Sequence, residues 1–112
     1  MSMPHNALPK PLCLKRRHPV TGEGAKYLRG RVEIKNPGEE TGAHVTEGRE
    51  EVIIVLEGTA TVYCEEARLM VRAGHSLFIA EGVLHNVRNE GRKNLRYVYV
   101  RSLSRKEKHH RH

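Results

Sequence analysis

The sequence predicts an all-β domain, a sandwich or barrel. Short apolar runs rich in β-branched residues recur from residue 51 to 101, a turn signal separates each from the next, and no segment carries a helical period of useful length. The chain has 112 residues, enough for one compact domain and little more.

Each element follows from local chemistry. Pro4, Pro9 and Pro11 make residues 1–11 an extended arm, because proline fixes φ and biases the residue before it away from helix. Residues 12–17 read as a short strand and 27–35 as a longer one. Asn36-Pro37 and two glycines turn 36–43 into a loop. Strands are then expected at 51–57, 59–65, 67–72, 76–80, 85–89 and 95–101. Gly58, an acidic turn at 65–66, Gly74, Gly82 and Gly91 punctuate them. The barrel spans 12–103, and 104–112 forms a polar, basic tail.

Residues 52–56 (VIIVL) are apolar on both faces of their strand, and 97–100 (YVYV) share the property. One face can fill the interior, and the other needs cover from a second sheet or another subunit, so a homodimer is expected. The net charge of +7 sits at the ends. Residues 1–18 carry four basic residues and no acid, 101–112 carry five basic residues and Glu107, and the body between is nearly neutral. That distribution argues against a nucleic-acid-binding face, and no helix-turn-helix pattern occurs. The basic ends leave nucleic-acid association as a remote alternative. Two cysteines without a CxxC spacing, no apolar leader and no membrane-length apolar stretch make a cytoplasmic protein the expectation, with Cys64 a small core residue.

The candidate chemistry lies in three residues. His44 and Thr46 share a face if their segment is extended. Glu51 begins the apolar strand and shares a face with Ile53 and Val55, and His85 follows a glycine-bounded turn. Two imidazoles and one carboxylate with open positions suit Fe(II) and tolerate Mn, Ni, Co or Zn. A lone histidine in a β protein is more often simply hydrogen-bonded, so spacing alone leaves the metal site open.

Two blocks of this chain resemble the paired motifs of the cupin superfamily. The first, G-x5-H-x-H-x3,4-E-x6-G, is met by Gly38, His44, Thr46, Glu51 and Gly58, with threonine where the second histidine stands. The second, G-x5-P-x-G-x2-H-x3-N, is met by Gly74, Ala80, Gly82, His85 and Asn89, with alanine where proline stands. Residues 59–73 link them, as in compact single-domain cupins. The resemblance implies a double-stranded β-helix, or jelly roll, with His44, Glu51 and His85 as metal ligands in its mouth. A threonine hydroxyl is a weak ligand. The site would therefore have three protein ligands and more open positions, bind metal weakly, or have lost it.

Glu50 is the rival of Glu51, and only the offset to Gly58 favours Glu51. Thr46, Glu50, Tyr63 and Asn89 are candidates for lining the site. Loop support is the plain alternative for Asn89, and packing for Tyr63, Tyr97 and Tyr99. His75 reads as a polar turn residue, and Arg49 as a solvated arginine or an anion contact. His109, His110 and His112 of the tail are a stray metal-binding set at most. Three functions remain open: a metal-dependent oxygenase or isomerase acting on a small oxygen-bearing substrate, a non-catalytic cupin that binds a small molecule or senses a metal, and the nucleic-acid reading above.

Overall fold

The structure, a computed structural model, describes residues 10–22 and 24–102; the tail histidines lie outside them. The described strands are β1 (His18–Pro19), β2 (Leu28–Lys35), β3 (His44–Val45), β4 (Glu51–Glu57), β5 (Thr59–Cys64), β6 (Ala67–Arg72), β7 (Ser76–Ile79), β8 (Leu84–Arg88) and β9 (Leu95–Ser102). Their pairings are antiparallel, and no helix occurs among the described residues.

Two sheets form, one ordered β1-β2-β9-β4-β7 and the other β3-β8-β5-β6. The chain crosses from one sheet to the other between β4 and β5 and returns at β7, so neighbours in space are often distant in sequence. This is the double-stranded β-helix.

Strand alternation builds the interior. Successive side chains point to opposite faces, so β4 sends Glu51, Ile53 and Val55 inward, all buried, while Ile54 stays exposed. Ala60, Val62, Val71, Ile79, Val87, Leu95 and Tyr97 complete the core between the sheets. Cys64 packs against that core, half-buried, and its thiol is pushed up by burial and by Glu65.

The segment at 12–17 is not a strand. The chain pairs only at His18–Pro19, against Val32 and Arg31 of β2. Pro19 lacks an N–H and cannot extend a ladder, and the His18 ring bonds the carbonyls of Cys13 and Pro19, holding the preceding residues in a bend. Just beyond it, Val20 packs on the outer face of the first sheet. At Gly30 a Cβ would meet Val20 Cγ2 at 2.7 Å and the Tyr99 carbonyl at 2.8 Å, so glycine there lets Val20 pack close to β9. Cover of the apolar outer face, expected from elsewhere, comes partly from the chain itself: Val32 and Val98 are buried, whereas Ile54 and Phe78 farther across the sheet are exposed.

Gly58 makes the β4–β5 turn at φ +80°, and a Cβ there would lie 2.5 Å from the Asn94 carbonyl oxygen. The left-handed conformation costs an L-residue about 1–2 kcal/mol, and the collision with backbone adds to it. Gly58→Ala is therefore expected to lower unfolding free energy by at least about 2 kcal/mol in urea titration. A loss within error of zero would contradict this account of the turn.

Candidate metal centre

His44 and His85 lie directly opposite each other in the β3–β8 pair. Their ring centroids are 4.2 Å apart with planes tilted by 60°. Glu51 approaches from the other sheet, at the first position of β4. Its Oε2 lies 3.8 Å from His85 Nε2. One ligand atom from each of the three residues falls within 4.8 Å of the others.

The hydrogen bonds orient both rings. His85 Nδ1 is 3.0 Å from the Val83 carbonyl oxygen, and His44 Nδ1 is 3.0 Å from that of Gly42. A carbonyl only accepts, so each Nδ1 carries the proton and each Nε2 keeps a lone pair, the arrangement seen in metal-ligating histidines. His85 is almost wholly buried, and its Nε2 has no hydrogen-bond partner. A buried ring nitrogen without a partner is costly. A divalent cation between the two imidazoles and the carboxylate would satisfy it, so the donor set fits a metal.

Glu51 faces the histidines; Glu50 does not. Glu50 is exposed, and its backbone is tied to Ser102. Thr46 is buried, but its hydroxyl donates to the Ala80 carbonyl at 3.0 Å and its own carbonyl accepts from Gly82 N. It lines the approach to His44 with its hydroxyl committed to that carbonyl. Tyr63 lies away from the site in a surface cluster, donating to Glu90 Oε2 at 2.6 Å and accepting from Arg68. Asn89 is buried and serves the loops: its Nδ2 donates to the carbonyls of Lys35 and Lys93, and its Oδ1 accepts from Gly91 N. Tyr63 and Asn89 therefore do not line the cavity beside the His–Glu–His cluster. His75 is exposed and borders a separate cleft with Leu69, Met70 and Leu77.

A cavity of about 240 Å³ adjoins the cluster, lined by Glu33, Lys35, Thr41, His44, Glu51, Val87, Tyr97, Tyr99 and Arg101. Sequence reasoning missed most of these and gave Tyr97 and Tyr99 to packing. The signal was present as alternation on two strands. Tyr97, Tyr99 and Arg101 are spaced by two on β9, and Glu33 and Lys35 by two on β2, with Glu33 paired to Tyr97. Glu33 is held by Arg31 at 3.6 Å, Arg17 at 3.7 Å and Lys35 at 3.9 Å. Arg49 is half-buried and lines the approach with Thr46 and Arg101, which is closer to the anion-contact reading than to a solvated arginine.

A two-sheet jelly roll carrying a His–Glu–His cluster at one mouth defines a cupin. The chain matches the Cupin domain family over residues 30–101 and belongs to it. It is 34% identical over 86 residues to the mannose-1-phosphate guanylyltransferase RfbM of Salmonella typhimurium, covering 77% of this chain and 18% of that protein's length. A structure from Bacillus halodurans superposes with TM-score 0.73 at 20% identity, covering 88% of this chain and 83% of its own. A predicted oxalate decarboxylase from Thermotoga maritima superposes with TM-score 0.64 at 25% identity, covering 67% and 65%.

Burial lowers the affinity of His85 for a proton, but the Glu51 carboxylate and the Val83 carbonyl outweigh it, and its pKa is raised above 6.5. In metal-free protein the charged pair thus contributes stability below the unfolded value of 6.5, and that contribution fades as pH climbs through the raised pKa. A cation needs the neutral ring, so protons and metal compete there. Zinc titrations by calorimetry at about pH 6 and about pH 8 should show weaker binding at the lower pH. Equal affinity at both would mean that His85 is not a ligand.

Proposed function

We propose that this cupin binds a divalent cation through His44 Nε2, His85 Nε2 and the Glu51 carboxylate, and that the cation presents open positions to a small oxygen-bearing substrate. The observation that carries the reading is the orientation of the two rings: each Nδ1 faces a carbonyl of its own loop, which leaves both Nε2 lone pairs free, with His85 Nε2 3.8 Å from the Glu51 carboxylate and ligand atoms of all three residues within 4.8 Å of one another. The adjoining cavity favours a substrate site over a closed structural ion, because structural sites use all their positions on protein ligands. When bound, the ion supplies Lewis-acid polarisation of a substrate oxygen.

The chain's own residues shape the remaining chemistry. Burial pushes the Tyr97 phenol far above its ordinary value, so it stays protonated and acts as a neutral wall or donor. Glu33 is occupied by three cations. Among the described residues the cavity therefore offers no uncommitted carboxylate to act as a base, which favours chemistry led by the cation, such as oxygenation, over isomerisation or hydrolysis that depends on a carboxylate base. The likeness to the Thermotoga maritima protein is in keeping with a small-molecule enzyme of this kind. We also propose that Ile54 and Phe78, the exposed apolar residues of the first sheet's outer face beyond the reach of Val20, pack against a second copy of the chain.

Elemental analysis of protein purified without nickel resin is expected to find stoichiometric divalent metal. His44→Ala or His85→Ala should abolish it, and His75→Ala should leave it intact; equal loss in all three would refute the assignment. Light scattering at micromolar concentration should give twice the monomer mass, falling to the monomer in Phe78→Asp. A wild-type monomer would exclude the dimer.

A further inference from the structure

We infer that the ligand of this site is a small acid whose carboxylate is held by the Arg101 guanidinium while a neighbouring oxygen reaches the cation. The inference rests on the cation proposed at His44, Glu51 and His85.

Arg101 is the cross-strand partner of Glu51. The β9 alternation that turns Tyr97 and Tyr99 inward turns Arg101 to the same face. It lines the 240 Å³ cavity together with His44 and Glu51, and the approach together with His44, Thr46 and Arg49. It also lines a larger bay of about 740 Å³ with Arg29, Arg31 and Arg49. Its guanidinium carbon lies 5.3 Å from the centroid of the Tyr99 ring, a cation–π contact. Its Nε is buried and has no hydrogen-bond partner, and among the described residues no carboxylate forms an ion pair with it. A buried, unsatisfied donor on a permanently charged, planar fork is built for two parallel bonds to a carboxylate.

Charge and size narrow the class. The ionised side chains of the cavity are Glu33, Glu51, Lys35 and Arg101, which cancel. A divalent cation makes the cavity net positive and selects an anion. A volume of about 240 Å³ is on the order of eight water volumes at about 30 Å³ each. That admits a 2-hydroxy or 2-oxo acid of a few carbons. Neutral diols and catechols can chelate a cation too, but they leave the Arg101 donors unpaired, a cost the acid avoids.

Calorimetry on manganese-loaded protein tests this with glycolate, ethylene glycol, catechol and inorganic phosphate as probes, and metal content is measured on every sample. Glycolate should bind more tightly than the other three. Arg101→Gln should weaken glycolate by about 10-fold or more at unchanged metal content, while Arg101→Lys, which keeps charge but loses the fork, falls between. Circular dichroism checks the fold; should Arg101→Gln not fold, Arg101→Lys decides, by weakening glycolate or not. Ethylene glycol or catechol binding as well as glycolate, phosphate binding more tightly, or an Arg101 variant indistinguishable from wild type would overturn the inference. Protein that takes up no manganese would instead defeat the cation reading beneath it.

Discussion

Two imidazoles and a carboxylate turned toward the interior of a small β-barrel are the constraint around which the rest is arranged. Alternation along a strand leaves no choice of side. Once Ile53 and Val55 are committed to the core, Glu51 must face inward as well, and once Val87 is committed, so must His85. The interior therefore holds an ionisable pair at its rim. The polar atoms there are satisfied from the loops wherever a loop carbonyl can reach, at Val83 and Gly42. At this rim the fold leaves two buried side-chain nitrogens unmet, the Nε2 of His85 and the Nε of Arg101. Two bare polar atoms beside one cavity are what an external ligand set would satisfy.

Much of this was legible in the sequence, and the parts that were not share a physical cause. Strand positions from 51 onward follow from β-branched runs between glycines, and β4 and β6 fall at the expected residues. The three metal-binding candidates were readable because each sits at a fixed offset from a turn glycine, so a local pattern encodes a spatial one. The cavity wall was not readable that way. Glu33 and Lys35 come from β2 and Arg101 from the far end of β9, and they meet only because those strands pair out of sequence order. Alternation says that Tyr97, Tyr99 and Arg101 share a face; it does not say that the face is the one with room in it. Tyr63 shows the converse. With Ala60 and Val62 in the core, alternation sends Tyr63 to the other face, and its hydroxyl finds Glu90 and Arg68 on the outside of the barrel. The segment at 12–17 failed for a third reason, since Pro19 and the His18 ring bonds override the β-propensity of the leucines before them.

Thr46 ties these strands of argument together. It occupies the motif position where a cupin carries its second histidine, and its backbone places it on the same side as His44. Its hydroxyl is spent on the Ala80 carbonyl and its own carbonyl on Gly82 N, both in the connection that leads from β7 to β8 and so to His85. In this chain the position fastens the His85-bearing loop to the His44-bearing strand instead of offering an imidazole. Beside it lies an approach of about 300 Å³ bordered by His44, Arg49 and Arg101. In this chain the clustered His44, Glu51 and His85 thus border open space and arginine side chains instead of a third imidazole. In the reading proposed above, a cation held there would take its remaining donor from outside the protein, and Arg101 would favour an anionic one.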